Sequence, residues 1–144
     1  MTKIDFYVHP AGARDDAHEL TVCRLAEKVS AQGQRIYIHA DSEAQAQRLD
    51  SLLWTFRDGS FVAHEQYRAG TDSDAPVQIG THPSPEIDSD VLINLAAEVP
   101  LFFSRFPRVA EFVGSSDAAK KQGRERYRFY RDRGYSLDLH EMGR

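Results

Sequence analysis

Three arginines near the end of the chain are spaced so that they could act together. Arg124, Arg128 and Arg131 are separated by four and three residues, which places them on one face of an α-helix with Tyr127 beside them. A guanidinium group can hold a carboxylate through two parallel hydrogen bonds, and the same face could hold phosphate. The spacing therefore indicates a surface for binding acidic groups.

Charge is distributed unevenly along the sequence. Residues 115–134 contain seven basic and three acidic side chains, a balance of +4, whereas the whole chain of 144 residues carries −4 and the remainder therefore −8. A basic last helix on an acidic body could bind an acidic peptide or nucleic acid, or could simply be solvated while its charges complement the helix dipole. The residues alone leave these interpretations open, although a chain whose main task is to grip DNA is usually basic overall.

A second group of residues suited to binding is aromatic. Trp54 and Phe56 close a predicted helix, and Phe61 follows after a short connection. Three large rings so close in sequence cannot easily all point inward, and adjacent exposed aromatic rings are typical of protein interfaces. The alternative is that they cap the hydrophobic core beneath the connecting loop, and the sequence does not decide between the two.

Signatures of catalysis and of cofactor binding are missing from the sequence. The turn expected after the first strand has Gly12 alone where a dinucleotide site needs three glycines, and no phosphate-binding loop occurs elsewhere. The six histidines are scattered singly, and Cys23 falls on the apolar side of a predicted helix. There is also no G-x-S-x-G motif for a nucleophile. We therefore expect no catalytic residue, no metal site and no cofactor.

The elements that must position these residues alternate between strand and helix. Periodicity predicts helices over residues 15–32, 43–54 and 117–133, and strands over residues 4–8, 35–39, 61–64, 76–79, 90–95, 108–113 and 135–139. Ser42 with Gln45 matches the capping-box pattern, Ser116 offers an N-cap, and Gly33 and Gly134 are placed to end helices.

This alternation predicts one α/β domain over residues 1–144. A β-α-β-α opening indicates parallel strands with right-handed crossovers, and the apolar run at 90–95 is typical of a strand buried on both faces. A single cysteine, no signal-peptide pattern and no run of about 20 apolar residues favour a cytoplasmic location without a membrane span.

Several segments together resemble the chi subunit of bacterial DNA polymerase III. The resemblance spans nearly the whole chain in the right order, and its most specific part is the R-x-R-Y-[KR]-x-Y run of the last helix. The segments that carry it are residues 4–7, 53–56, 60–64, 76–79, 90–95 and 124–131.

The resemblance implies a fold and a role. It implies a Rossmann-like three-layer α/β sandwich with a mostly parallel central sheet and no nucleotide-binding loop. It implies a non-catalytic accessory subunit of the clamp-loader complex, which pairs with the psi subunit and binds the acidic C-terminal tail of single-stranded DNA-binding protein. It further implies contact with a helicase related to DNA-repair helicases, indirect contact with DNA, and a place at the replisome on the bacterial nucleoid.

The resemblance also assigns residues to the two partners. Arg124, Tyr127 and Arg128 fall on the tail-binding positions, and Arg131 continues that face. One member of the family has lysine where Arg128 stands, so a cation is retained but its geometry differs.

The aromatic residues are assigned to the other partner. Trp54 and Phe61 fall on the surface for psi and the helicase, and Phe56 lies between them in sequence.

Overall fold

Seven parallel strands form one sheet in the computed structural model, which describes residues 2–10, 17–71 and 73–142. The order across the sheet is β3-β4-β2-β5-β6-β1-β7. All of the pairings are parallel, so the predicted α/β class is confirmed and the sheet is wholly rather than mostly parallel. The strands are β1 (Lys3–Val8), β2 (Ile36–His39), β3 (His64–Gln66), β4 (Val77–Gly80), β5 (Val91–Asn94), β6 (Arg108–Val113) and β7 (Ser136–Glu141).

Helices cover both faces of this sheet and make the expected three layers. In the described ranges these are α1 (Ala17–Ala31), α2 (Glu43–Thr55), α3 (Asp117–Asp132) and a short 3-10 turn, Phe103–Arg105. The apolar residues of α1 and α2 share one core with alternate residues of the strands, while α3 and the 3-10 turn share the other. All four residues of β5 are buried, as the continuous apolar run predicts. None of these helices is both long and apolar enough to cross a membrane.

The helix ends follow the sequence signals. The Ser42 hydroxyl accepts a hydrogen bond from the Gln45 N–H at 3.1 Å, and the Gln45 side chain accepts one from the Asp41 N–H at 2.8 Å, one residue earlier than a strict capping box. Ser116 caps α3 in the same way, and Gly134 ends it with a φ of 80°. The left-handed conformation at that position favours glycine because it has no Cβ.

The larger differences between prediction and structure concern two strands, and the predicted start of one helix falls outside the described residues. The third strand begins at His64 rather than at 61, since pairing with β4 starts there and Phe61 lies on the surface. β7 runs to Glu141 because it pairs with β1 as far as Val8. The predicted start of α1 at residue 15 lies outside the described residues, as does Gly12.

A buried carboxylate joins α3 to the sheet. Glu111 of β6 is 0% exposed, and its two oxygens accept hydrogen bonds from Arg126 at 2.8 Å, Tyr130 at 2.6 Å and Asn94 at 3.0 and 3.1 Å. Burial raises the pKa of Glu111, while the Arg126 charge and these donors oppose that rise. The network fixes both the depth and the rotation of α3, because Arg126 and Tyr130 lie one turn apart on its inner face.

The burial of Arg126 corrects the charge count of the last helix. Its guanidinium also donates to the carbonyl oxygens of Ala97 and Phe112, each at 3.0 Å, so it faces the core. Residues 115–134 therefore present six accessible basic side chains against three acids, or +3 rather than +4.

Replacing Arg126 with methionine should lower the free energy of unfolding by about 3–5 kcal/mol, because Glu111 would remain buried without a counter-charge. Adding Glu111→Gln to that variant should recover part of the loss. Urea unfolding measures both, and Arg124→Met, an exposed site on the same helix, should change stability by less than about 0.5 kcal/mol. A loss below about 1 kcal/mol in the Arg126 variant would contradict the structural role of the pair.

A second polar cluster holds the outer strand β7. Asp5 of β1 accepts hydrogen bonds from Arg108 of β6 and His140 of β7, each at 3.0 Å. Burial alone would raise the pKa of Asp5, but the hydrogen bonds from His140 and Arg108 and the charges of Arg108 and Lys3 outweigh it, so the pKa lies below its ordinary value of 3.8. Ionised Asp5 therefore stabilises the three-strand edge β6-β1-β7.

Asp5→Asn should cost about 1.5–3 kcal/mol of unfolding free energy at pH 7, the usual value for hydrogen bonds to a charged group. Because the folded-state pKa is the lower one, this stabilisation is present above pH 3.8 and is lost as the pH falls through the folded-state value. Unfolding curves at several pH values should therefore show the two proteins converging only in acid. Asp138→Asn, whose partner Lys3 lies in solvent, is the control and should change little. A difference that stays constant down to pH 2 would contradict this assignment.

Candidate functional site

The packing of the inner face of α3 on the sheet leaves the outer face of the helix exposed to solvent. Gly123 lies against Val113 so closely that a Cβ would stand 2.8 Å from both methyl groups, which lets the helix approach β6 directly. Tyr127 is half-buried, and its ring meets Phe6 edge-on at a centroid distance of 5.4 Å. Arg124 and Arg128 lie outside the packed inner face and are exposed to solvent.

Arg124 and Arg128 are exposed and chemically available. Neither forms an ion pair or a side-chain hydrogen bond with any residue in the described part of the chain. Lys120 and Lys121 lie one turn earlier on the same side and are equally unpaired within that part. We call the surface formed by Lys120, Lys121, Arg124, Tyr127 and Arg128 the cationic face.

Two further arginines near the end of α3, Arg131 and the C-cap residue Arg133, are already engaged. Arg131, which the sequence places with this face, is exposed but donates to Asp132 at 3.3 Å, so part of its charge is locally balanced. Such an exposed pair is weak, and Arg131 remains available at its margin. Arg133 stacks on the Phe129 ring at 3.5 Å from its centroid and donates to the Phe129 carbonyl oxygen. Arg133 therefore points away from the cationic face.

An apolar neighbour of the cationic face was missed in the sequence. Leu139 of β7 is 56% exposed and pairs in register with Phe6, whose ring contacts Tyr127. Leu137, two residues earlier on the same strand face, packs in the core beside Phe6 and Tyr127. Leu139 therefore offers apolar surface next to Tyr127 at the edge of the cationic face. The alternation at 135–139 signals a strand, but not that the strand is the outermost one.

The aromatic residues are divided between surface and core. Trp54 and Phe61 are 55% and 72% exposed, and their ring centroids are 5.7 Å apart. Phe56 is half-buried and packs against the core shared by α1 and α2. Trp54 and Phe61 thus follow the prediction of an exposed aromatic surface, whereas Phe56 follows the alternative that the rings cap the core. We call the pair Trp54 and Phe61 the aromatic surface.

Polar contacts fix the turn that presents Phe61. Arg57 donates to Glu27 of α1 at 2.6 Å, and the Ser60 hydroxyl donates to the same carboxylate. After the turn, both ring nitrogens of the buried His64 lie near carbonyl oxygens, that of Val62 at 2.6 Å and that of Asp50 at 2.9 Å. The Trp54 ring then covers His64 at a centroid distance of 4.6 Å, so the aromatic surface rests on a fixed support.

The cationic face and the aromatic surface lie at opposite edges of the sheet. α2 packs on β3 and β4 at one edge, whereas α3 packs on β6 and β7 at the other. Six inter-strand spacings of about 4.8 Å separate the outermost strands, or roughly 29 Å. Two partners could therefore bind at once without meeting.

Potential metal ligands do not form a cluster in the described ranges. No group of three or more histidine, cysteine, aspartate or glutamate side chains in them could hold a metal ion. Burial raises the pKa of the Cys23 thiol to about 12, which keeps it protonated and unreactive at neutral pH. His18 is half-buried, and desolvation followed by repulsion from His9 lowers its pKa to about 4.

Comparison with known proteins places this chain in a family. The family "DNA polymerase III chi subunit, HolC" matches residues 1–138. A DNA polymerase III subunit chi from Pseudomonas aeruginosa is 43% identical over 144 residues, covering 100% of this chain and 99% of its own. The Escherichia coli subunit of that name is 37% identical over 124 residues, covering 85% of this chain and 84% of its own.

A solved structure shares the fold at low sequence identity. The crystal structure of T4 UvsW matches with a TM-score of 0.71 and 9% identity over 98% of this chain, which spans 41% of the UvsW chain. At that identity the likeness concerns the fold alone. The family match and the full-length relatives together show that this chain belongs to the DNA polymerase III chi subunit family.

Proposed function

We propose that the chain is a non-catalytic connector in the DNA polymerase III clamp loader. Its cationic face binds the acidic C-terminal tail of single-stranded DNA-binding protein, and its aromatic surface binds the psi subunit. Through these two contacts it links the loader to protein-coated DNA at the bacterial replisome, touching the DNA itself only indirectly. The observation that carries the proposal is the pair Arg124 and Arg128, exposed and unpaired among the described residues on a helix that Glu111 fixes.

Charge supports the tail as the ligand of the cationic face. A free C-terminal carboxylate is a planar acceptor that one guanidinium can hold with two hydrogen bonds, and Arg124 and Arg128 lie one helical turn apart. Acidic residues upstream in the tail would be attracted by Lys120 and Lys121, which lie on the same side of α3. This is the capture of a C-terminal carboxylate combined with the recognition of an acidic motif.

Shape supports the same ligand. The tail is expected to end in apolar side chains. The cationic face includes the half-buried ring of Tyr127 and adjoins the exposed apolar side chain of Leu139. An apolar side chain placed there would leave water while its carboxylate stays beside Arg128. Anchor and charge would then contribute separately, the first to specificity and the second to the rate of association.

Direct binding of DNA is the alternative function of the cationic face. Phosphates would also be attracted to Arg124 and Arg128, but neutralising a DNA backbone usually takes more basic charge than this chain offers, whose net charge is −4. One apolar site beside two cations also fits the end of a peptide better than it fits the repeating phosphates of a DNA backbone. Peptide binding is therefore the better-supported function.

The aromatic surface supports a second protein contact. Exposed tryptophan beside other exposed aromatic rings is typical of the hot spots of protein interfaces. Trp54 is also held in place by its contact with His64. Psi is the proposed occupant within the loader, and a helicase related to DNA-repair helicases would use the same surface when psi is absent. Such partners would then exclude one another.

Arg128→Ala should weaken binding of a synthetic tail peptide about 10- to 100-fold, since one charge-assisted bond is worth about 1.5–3 kcal/mol. Calorimetry measures this, and the affinity of the unaltered chain should fall with added salt.

Arg133→Ala is the matched control, because that guanidinium is occupied on Phe129, and it should bind the peptide within about twofold of the unaltered chain. Equal affinity of the Arg128 variant and the unaltered chain would remove Arg128 from the site. Tight binding of single-stranded DNA without any tail would favour the nucleic-acid function instead.

Trp54→Ala should abolish copurification with psi and leave tail-peptide affinity unchanged, because the two surfaces lie at opposite edges of the sheet. Leu101→Ala removes another exposed apolar side chain, 87% exposed and outside the aromatic surface, and should retain psi. Loss of psi and tail binding together, with an unchanged melting temperature, would contradict the separation of the two surfaces.

A further inference from the structure

The outermost strand β7 leaves one row of its backbone groups without a partner. In a strand, the N–H and C=O groups of one residue point to one side, and those of the next residue point to the other. The Met142 N–H, just beyond β7, donates to the Val8 carbonyl oxygen at 2.8 Å, so the even-numbered residues of β7 face β1. The backbone groups of Leu137, Leu139 and Glu141 therefore point outward, where the described part of the chain offers them no hydrogen-bond partner.

This open edge is suited to receive another strand. A row of exposed N–H and C=O groups pairs readily with an extended chain, and proteins bind peptides in this way. Five of the six residues of β7 are exposed to solvent. The strand also contains no proline and no lysine, the residues that commonly protect an edge strand from pairing. A peptide in extended conformation could therefore form main-chain hydrogen bonds along β7.

The cationic face borders this edge. The side chains of Leu137 and Leu139 lie on the same side of the sheet as α3, because Leu137 packs in the core beside Tyr127. Basic residues spaced three, four or seven residues from Tyr127 lie on the same side of the helix as its ring. They are Lys120, Arg124 and Arg131. A chain paired with β7 would thus lie next to exposed apolar surface and beside a row of cations.

The direction of α3 sets the direction of such a chain. Because α3 connects the parallel strands β6 and β7, it runs opposite to both, and Lys121 lies nearer the C-terminal end of β7 than Arg128 does. The proposed function places the carboxyl end of the peptide at Arg128 and its upstream acids at Lys120 and Lys121. Such a peptide runs antiparallel to β7.

The spacing of the cations fits an extended peptide. Lys121 and Arg128 are seven residues apart, or about 10 Å along the helix axis, which about three residues of an extended chain cover. An acidic residue about three positions before the carboxyl end would therefore reach Lys121 while the end itself reaches Arg128. An apolar side chain between them would lie beside Leu139, which is more than half exposed.

We infer that the acidic tail bound at the cationic face adds to β7 as an eighth, antiparallel strand of the sheet. Its main chain pairs with the outward backbone groups of Leu137, Leu139 and Glu141, and its acidic groups lie beside the cations of α3. The inference rests on the proposed function and adds the conformation in which the tail is held. Affinity then comes partly from main-chain hydrogen bonds, in addition to the carboxylate and the apolar anchor.

A second copy of this chain suits the edge less well than an acidic peptide does. Two β7 strands paired antiparallel would be related by a twofold axis normal to the sheet, so both α3 helices would lie on one side with their cationic faces together. An acidic peptide brings the opposite charge. Glu141 is the one acid of β7 on the side of α3, and the four cations of the cationic face outnumber it.

Amide hydrogen exchange on the isotopically labelled chain tests this pairing. At a saturating concentration of an acidic tail peptide with a free carboxyl end, exchange at Leu139 and Glu141 should slow at least about tenfold, because their N–H groups gain acceptors. The amides of Asp138 and His140, which face β1, should already be protected in the free chain. Arg133→Ala should show the same slowing, whereas Arg128→Ala should show little at the same peptide concentration.

Methylation of the peptide backbone gives an independent test that leaves the protein unchanged. Each backbone N–H among the last five residues of the peptide is methylated in turn, and calorimetry measures the affinity. The cost should alternate along the peptide, at least about tenfold where the N–H faces β7 and within about twofold where it faces solvent.

Peptide binding that Arg128→Ala weakens, without slower exchange at Leu139 and Glu141, would overturn this inference and leave the proposed function standing. An equal cost of methylation at every position would overturn it as well. Protection of these amides in the free chain, together with a dimer mass in sedimentation, would assign the edge to a second copy and also overturn it. Absence of any peptide binding would overturn both the inference and the proposed function.

Discussion

The position of α3 depends on one buried carboxylate. Glu111 is fully enclosed, and it is tolerable there only because Arg126, Tyr130 and Asn94 supply donors to both of its oxygens. Because two of these donors come from α3, the carboxylate sets the rotation of the helix, and that rotation turns Arg124 and Arg128 outward. The cationic face is therefore a consequence of how one internal charge is satisfied.

Local patterns in the sequence predicted the helices and strands well, but they predicted less well which side chains the fold buries. The caps at Ser42 and Ser116 depend on neighbours three residues away, so they could be predicted. The burial of Arg126 could not, because its partner Glu111 lies in a distant strand that looks apolar. Gly123 and Tyr130 were the available signal, since they mark the inner face of α3 on either side of Arg126.

Contacts between elements that are distant in sequence also explain why the other features of the site could not be predicted. Leu139 adjoins the cationic face because β7 is the outermost strand, a consequence of strand order that periodicity does not encode. Phe56 packs inward while Trp54 stays exposed, although both close the same helix. Opposite placement of the two surfaces is likewise a property of the sheet, and it suits the proposed connection of two partners.

Mapping of the proposed tail-binding site on the intact chain tests the central claim most directly. The isotopically labelled chain would be titrated with an acidic tail peptide, once with a free C-terminal carboxylate and once with that end amidated, while backbone amide shifts are recorded. The account predicts perturbations confined to α3 and the adjoining end of β7, including Leu139, and much weaker binding of the amidated peptide. Perturbations centred on α1 and α2, or equal binding of the two peptides, would contradict it.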